Sequence, residues 1–377
     1  MPSATFDIYY RIFNTEFNLS FFAPKKDQCD LCESYKNVTG EDQIKLKECY
    51  EEHLKQKTLS REEKAKDIEL AKENEETVVA IYDLQAVMPV PIGNSSAFFY
   101  KSKLNCLNFT ITNIKDNITN CYFWHEGLGN RGAVEIGSCV LKFLKETAER
   151  YPNSNIIFYS DNCCGQQKNR FLVGMYYYAV ETLPIKSITH KYLIRGHTQN
   201  EGDNAHSLIE KSIKRAKKSG PIYIPYQYVQ FIRDSKKTGN AFVVNELNYD
   251  DFYDLKKLFE DITLNVNKDL QGNQIKLSEI KSIRFVKNSE TYDLKYSYES
   301  EWISVKSKAT INTRKTRSDN NLHISELRLR AAYNSKLTIS DKKKNRICGL
   351  CYKKYYSKML FWILRKFVLN IFICCLF

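Results

Sequence analysis

The sequence is poor in the residues that interrupt regular structure. Gly and Pro contribute only 14 and 8 of 377 residues, which excludes collagen-like, proline-rich and Gly/Ser-linker architectures. No GxGxxG or Walker pattern follows a predicted strand, so nucleotide-cofactor folds have no support. Residues 1–10 hold neither a basic segment nor a continuous apolar stretch. We therefore expect no secretory signal and an intracellular protein.

The composition is that of a folded chain. Hydrophobic residues make up 43% and aromatic residues 13%, which is too many for a disordered protein. The length predicts two or three structural units. The 12 cysteines are not expected to form a secreted disulfide scaffold, because such scaffolds are much shorter chains. Reduced thiols, some of them available for a metal ion, are the better interpretation.

Positive charge is concentrated near the end of the sequence. Residues 305–377 contain 17 basic and 3 acidic residues, whereas the rest contains 40 basic and 41 acidic residues. A near-neutral body with a basic tail is typical of a protein that binds a polyanion, and we expect DNA as the partner and the nucleus as the location. A solvated tail without a partner is the alternative.

Composition and patterning divide the chain into six predicted segments. They are a zinc-knuckle-like segment (1–40), a charged helical spacer (41–77), an α/β core (78–220), a small α+β appendage (221–304), a basic tail (305–358) and an apolar tail (359–377).

The apolar tail has the length of a membrane span, with 16 apolar residues in 19. Arg365 and Lys366 lie near its middle, and each charge costs about 2.5–3.5 kcal/mol in a bilayer centre. A membrane association is therefore not expected, and a packed terminal helix or a truncated reading frame is favoured.

The core alternates strands and helices in the order β-β-β-α-β-α-β-α. Antiparallel strands followed by alternating units are typical of a ribonuclease-H-like mixed sheet and not of a doubly wound sheet. The predicted strands are 77–83, 97–100, 107–114, 120–124, 155–159 and 188–194, and the predicted helices are 131–150, 170–182 and 201–219.

Three carboxylates occupy the ends of these elements. Asp83 ends the first strand, Asp161 follows the central strand, and Asp203 opens the third helix. Ligands bind at strand ends of α/β sheets, and carboxylates gathered there need a cation. Oxygen ligands favour Mg²⁺ or Mn²⁺, so we predict a two-metal site. The alternative is that each Asp is a turn or N-cap residue.

The third helix adds two candidates on the same face. His206 and Glu210 follow Asp203 at i+3 and i+7. Either Asp203 or Glu210 would be the third acidic ligand, and His206 would shuttle a proton or orient the substrate. Glu135 is a further candidate carboxylate, with a simple helix-start charge as its alternative.

Basic and amide side chains near these elements are candidates for contact with a nucleic-acid backbone. They are Lys168, Asn169 and Arg170 in the loop after Asp161, and Arg195 and His197 before the third helix.

Cysteine spacing near the N-terminus indicates zinc. Cys29-x-x-Cys32 is half of a site, and Cys49-x-x-x-His53 offers the other half, which predicts a structural Zn²⁺. Cys348-x-x-Cys351 is either an alternative partner or a chance spacing.

Several motifs in this order resemble a family of uncharacterised, transposon-derived proteins of insects and other invertebrates, classed as a domain of unknown function. The resemblance covers about residues 6–346 and implies a ribonuclease-H-like core similar to Asp-Asp-Asp/Glu transposases, with an N-terminal zinc-binding segment. Cys164 stands where this family more often has Gly. The motifs are PKKDQCDLCESY, YDLQAVMPVP, WHEGLGNRGAVEIGSC, SDNCCGQQKNRF and GHTQNEGDNAHSLIE.

The leading hypothesis for function is a metal-dependent polynucleotidyl transferase or nuclease acting on DNA phosphodiesters. The alternative is a domesticated, catalytically inactive DNA- or chromatin-binding protein that retains the fold. A third hypothesis is a protein–protein scaffold that uses the charged helix 41–77, and self-association is compatible with each of them.

Overall fold

The computed structural model describes residues 5–17, 29–94, 96–100, 102–198, 201–307 and 324–344, without the side chains of two of them, at positions 97 and 325. Most of the predicted basic tail, the whole apolar tail and the Cys348–Cys351 pair lie outside the described residues. The chain divides into two compact units, 1–52 and 53–377, and each is described by itself.

The first unit is helical. It contains α1 (Phe6–Glu16), α2 (Asp30–Asn37) and the beginning of α3 (Glu41–Glu73), which continues into the second unit. The charged helix predicted over 41–77 is confirmed apart from its last four residues, because the run contains no Gly or Pro and many good helix formers. The rings of Tyr35 and Tyr50 stack with centroids 3.9 Å apart.

The second unit is a mixed α/β structure built on a ten-stranded sheet. Its strand order is β10-β9-β8-β6-β5-β1-β3-β4-β7, and β2 pairs with β3. The elements are β1 (Thr77–Leu84), β2 (Met88–Val90), α4 (Ser96–Phe99), β3 (Leu104–Asn113), β4 (Ile118–His125), α5 (Ala133–Arg150), β5 (Ser154–Ser160), α6 (Arg170–Thr182), β6 (Ile185–Tyr192), α7 (Glu201–Ser219), α8 (Pro225–Arg233), β7 (Val243–Glu246), α9 (Leu255–Ile262), β8 (Ser282–Val286), β9 (Thr291–Lys295) and β10 (Ile303–Lys306).

The prediction of a strand over 97–100 is wrong. The segment forms the short helix α4, and Phe99 and Tyr100 are 77% and 81% exposed. The strand that pairs with the start of β3 is instead β2, whose residues Met88 to Val90 pair with Cys106 to Leu104. An aromatic run indicates a strand only where a neighbouring strand is free to pair with it.

The segment predicted as a separate appendage, 221–304, contributes strands to the main sheet. β7 pairs in parallel with β4, and β8 pairs antiparallel with β6. Strands β4 and β6 are therefore paired on both sides, and β7 and β10 are the edge strands of the sheet. No strand of the main sheet was predicted for this segment.

Helices cover both faces of the sheet. On one face, α5, α6 and α9 pack on a core that includes Tyr82, Phe158 and Tyr176. On the other face, α7 and α8 cover β2, β3 and β4. The part of α3 near Ala71 covers β1 and β5 through Val79 and Tyr159. Among the described residues, no helix is long and apolar enough to cross a membrane.

Candidate metal-binding site

Asp83 and Asp161 lie side by side at one end of the sheet. β1 and β5 are parallel, and Ile81 is paired with Tyr159. Asp83 and Asp161 are each two residues further along, so their side chains project from the same face. Neighbouring strands lie about 4.8 Å apart. The register alone therefore brings the two carboxylates together, as the sequence analysis predicts.

The first turn of α7 adds Asp203 and His206 to this end of the sheet. Ligand atoms of Asp83, Asp203 and His206 all lie within 4.8 Å of one another, and these three residues form a group that could hold a metal ion. Nδ1 of His206 is 3.8 Å from Oδ2 of Asp83. Helix α7 also contacts β1 and β3, which fixes its first turn over the ends of the strands.

The carboxylates oppose one another electrostatically. Burial, followed by the charges of Asp161 and Asp203, raises the pKa of Asp83 to about 7. Burial also raises the pKa of Asp161, and the charge of Asp203 adds to this effect. Backbone N–H groups of Leu84 and Cys163 donate to Asp83 and Asp161 and offset only part of the cost. A divalent cation would offset the repulsion within such a group of carboxylates.

His206 is held as a neutral imidazole. Burial lowers its pKa to about 4, so the ring is unprotonated at neutral pH. Its Nε2 is 2.9 Å from the hydroxyl of Thr110, and that hydroxyl donates to the carbonyl of Asp83 at 3.3 Å. When Thr110 donates to this carbonyl, Nε2–H of His206 donates to Thr110, and Nδ1 keeps its lone pair towards Asp83. A neutral imidazole with this tautomer can bind a cation.

The other candidate acids lie elsewhere. Glu210 is exposed on α7 and is not part of the group that holds Asp83, Asp203 and His206. Glu135 is buried at the start of α5, where it accepts hydrogen bonds from the backbone N–H of Asn130 and from the hydroxyl of Tyr333. Through these hydrogen bonds Glu135 stabilises the N-terminal end of α5, which is a structural role.

The loop between β5 and α6 uses most of its polar side chains internally. Lys168 is 3% exposed and donates to the side chain of Asn162 and to the carbonyl of Ser278. Burial lowers its pKa to about 8. Asn169 accepts hydrogen bonds from two backbone N–H groups as the N-cap of α6. Arg170 is exposed, with its guanidinium over the ring of Phe171.

His197 lies against another histidine in the second unit. Nε2 of His197 is 3.1 Å from Nε2 of His53, while Arg195 is exposed. Burial, the charge of Lys57 and the His53 ring lower the pKa of His197 to about 4. Burial and Lys57 also lower the pKa of His53. Two neutral imidazoles that direct nitrogens at one point are typical of half a metal site.

In the first unit, Cys29 is the N-cap residue of α2 and Cys32 lies in its first turn, both of them buried. The expected zinc ligands are divided between the two units, with Cys29, Cys32 and Cys49 in the first and His53 in the second. Cys49 is exposed on α3.

A buried polar cluster behind the carboxylates was missed by the sequence analysis. The hydroxyls of Tyr82, Tyr176 and Ser160 all lie within hydrogen-bonding distance of the ring of His190, which is fully buried. Tyr82 precedes Asp83 and Ser160 precedes Asp161, so the cluster joins the strand positions next to both carboxylates. The signal in the sequence was a His within a predicted strand, 188–194.

Comparison with known proteins identifies one domain. Neither the curated proteins nor the solved structures include a significant match to this chain. The model of a domain of unknown function matches a range that runs from β3 to β9 and includes Asp161, Asp203 and His206, whereas Asp83 precedes it. A DUF7869 domain, a domain of unknown function, is thus found at residues 110–293.

Proposed function

We propose that the protein is a divalent-metal-dependent nuclease or polynucleotidyl transferase that acts on DNA phosphodiesters. The observation that carries this proposal is the meeting of Asp83, Asp161 and Asp203 at one end of the sheet, where burial and mutual repulsion raise the pKa of Asp83 to about 7. A charge arrangement this unfavourable is typical of functional sites and not of structural ones.

We further propose that residues 78–220 form a ribonuclease-H-like core. Support comes from the strand order, in which β1 lies between an antiparallel meander (β3, β4) and two parallel strands (β5, β6). The motif resemblance supports an origin in a transposon, and a nuclear location would follow from a DNA substrate.

The donor set fits Mg²⁺ or Mn²⁺. Carboxylate oxygens suit both ions, and Mn²⁺ also accepts the imidazole of His206. A bound cation would lower the pKa of an attacking water or hydroxyl and stabilise charge on the leaving oxygen. The chain itself supplies orientation. The backbone N–H of Leu84 fixes Asp83 at 2.8 Å, and Thr110 fixes the ring of His206.

A structural zinc ion is the second part of the proposal. We propose that the Cys29-x-x-Cys32 pair of the first unit supplies two of its thiolate ligands, as the spacing predicts. Cys29 is the N-cap residue of α2 and Cys32 lies in the first turn, so both thiols belong to one short segment.

Nicking of supercoiled plasmid DNA tests the catalytic proposal. The full-length protein should nick DNA with Mn²⁺ and not in EDTA. Asp83→Asn and Asp161→Asn should each lower the rate at least ~100-fold, because they remove the charge that holds the cation. Glu210→Gln is the matched control on α7 and should retain activity. Equal rates for wild type and both Asn variants would contradict the proposal.

The alternative is a catalytically inactive DNA-binding protein with the same fold. It is favoured by the exposed basic side chains of Lys211, Lys214 and Lys218 in the second half of α7. Wild type that binds DNA, takes up no Mn²⁺ and never nicks would establish this alternative.

A further inference from the structure

A second surface lies at the far end of the helix that carries Asp203. Lys217 follows Asp203 by about 14 residues on α7, which is roughly 21 Å at 1.5 Å per residue. Here a cavity of about 590 Å³ opens beside β2 and α4. Its walls include Ile92, Phe98, Phe99, Tyr100, Lys103 and Lys217.

Two aromatic side chains stand exposed at this cavity. Phe99 and Tyr100 are 77% and 81% exposed, and their rings meet edge to face at 5.1 Å. Packing in the core does not explain why these two adjacent aromatic residues occur here, because both rings are largely exposed to water. Paired exposed aromatics of this kind mark interaction sites.

The aromatic pair is carried on an anchored segment. The neighbouring Phe98 is buried and its ring packs towards Tyr223. A Cβ added at Gly93 would come within 2.6 Å of the Phe98 ring, so the backbone there approaches the ring as closely as only glycine allows. Phe98 thus fixes α4, and the exposed rings are held outwards from a fixed base.

Charge at this surface has one sign. Lys103 and Lys217 line the cavity, and none of the described residues that line it is acidic. Lys214 and Lys218 continue the positive charge along the exposed part of α7. A surface that combines aromatic rings with Lys fits a ligand that has flat apolar faces and an anionic backbone.

We propose that this surface binds an unpaired segment of a DNA strand, with bases stacked on Phe99 and Tyr100 and phosphates at Lys103 and Lys217. The inference rests on the proposed function, because the same strand would reach the carboxylates. Roughly 21 Å of α7 separates this surface from the carboxylates. Unpaired DNA is therefore held several nucleotides from the reacting phosphodiester.

Two other partners fit less well. In a duplex the base faces are stacked on one another and are not available to side-chain rings. The core of a protein–protein interface is depleted in Lys, whereas two lysines line this cavity.

Binding of fluorescent DNA to the full-length protein in EDTA tests the proposal. Anisotropy is measured with a 15-nucleotide single strand and with the same sequence as a duplex. The double variant F99A/Y100A should raise the Kd for the single strand at least ~10-fold and for the duplex less than ~2-fold. Y226A is the matched control, since Tyr226 is a 47% exposed ring on α8, and it should leave both values unchanged.

A second pair of variants addresses the charges. Lys217→Gln should lower the slope of log Kd against log salt by about 0.7, the value for one phosphate contact on a single strand. Lys268→Gln, an exposed lysine in the loop after α9, should leave the slope unchanged. Equal effects of the two lysine variants would overturn the assignment of phosphates to this surface.

The design separates this inference from the catalytic proposal. F99L/Y100L keeps apolar side chains without a stacking face, so it should weaken single-strand binding even if F99A/Y100A fails to fold. Unchanged single-strand binding by a folded variant that still nicks DNA with Mn²⁺ would overturn the inference alone. Wild type that binds through these rings but never nicks would overturn the catalytic proposal alone.

Discussion

Asp83 and Asp161 lie in register on two parallel strands, each two residues beyond the paired positions Ile81 and Tyr159. Their carboxylates share one face at the same end of the sheet, and the pKa of each is raised. The fold therefore gathers negative charge at one end of the sheet, where both carboxylates are half-buried. This arrangement is unfavourable for the protein alone and favourable once a cation is bound.

The raised pKa of Asp83 predicts a pH-dependent stability. The group has a pKa near 3.8 in the unfolded chain and about 7 in the folded one. The folded state binds the extra proton, so this stabilising contribution is complete below pH ~4 and is lost as the pH rises through 7. One pKa unit is about 1.4 kcal/mol, so the loss from this group is at most ~4 kcal/mol.

Denaturant unfolding at pH 5 and pH 8, without metal, measures this effect. Asp83→Asn should unfold at higher denaturant than wild type at pH 8 and should show a smaller difference at pH 5. Addition of Mn²⁺ should stabilise wild type more at pH 8 than at pH 5, because the cation competes with the proton. A wild type that gains stability relative to Asp83→Asn between pH 5 and 8 would contradict the assignment.

Asp203 and Glu210 are predicted to differ in metal binding although both are acids on α7. Both side chains are exposed, but Asp203 lies with Asp83 and His206 in a group that could hold a metal ion, whereas Glu210 lies outside this group. Isothermal titration with Mn²⁺ should give a Kd at least ~10-fold weaker for Asp203→Asn and an unchanged Kd for Glu210→Gln. The opposite ranking would make Glu210 the third acidic ligand.

Zinc content is predicted to depend on the Cys29-x-x-Cys32 pair. Metal analysis of full-length protein should find about one Zn²⁺ per chain in wild type and in the control Cys164→Ser, which changes an exposed thiol. Cys29→Ser and Cys32→Ser should each lose most of it, because a structural site with three ligands binds zinc far more weakly. Full zinc content in both variants would contradict the zinc proposal.

Local patterns predicted much of the core. Helices α6 and α7 have the bounds that the sequence predicts, because each is a continuous amphipathic run between clear breaks. Asp83 and Asp161 could be predicted as site residues because each lies at the end of an apolar strand. The parallel pairing of those two strands then places the carboxylates side by side.

Contacts between distant segments were not predictable in the same way. His197 and His53 are 144 residues apart, and no spacing rule connects a loop residue to a helix residue so far away. The partners of β7 and β8 depend on which sheet edges remain open, which is a property of the assembled fold. The segment 97–100 was predicted to be a strand because aromatic residues favour strands in general.

A buried ion pair attaches α3 to the sheet in the second unit. Lys191 on β6 is buried and bonds to Asp67 on α3 at 2.6 Å, and Tyr159 donates to the same carboxylate. Lys191→Met should lower the unfolding free energy by about 3–5 kcal/mol, because it leaves Asp67 buried without its cation. Lys186→Met is the matched control, since Lys186 and Glu76 form an exposed pair that is worth about 0–1 kcal/mol. Urea unfolding of the full-length protein measures both values, and equal losses in the two variants would show that burial of the pair contributes nothing to its strength.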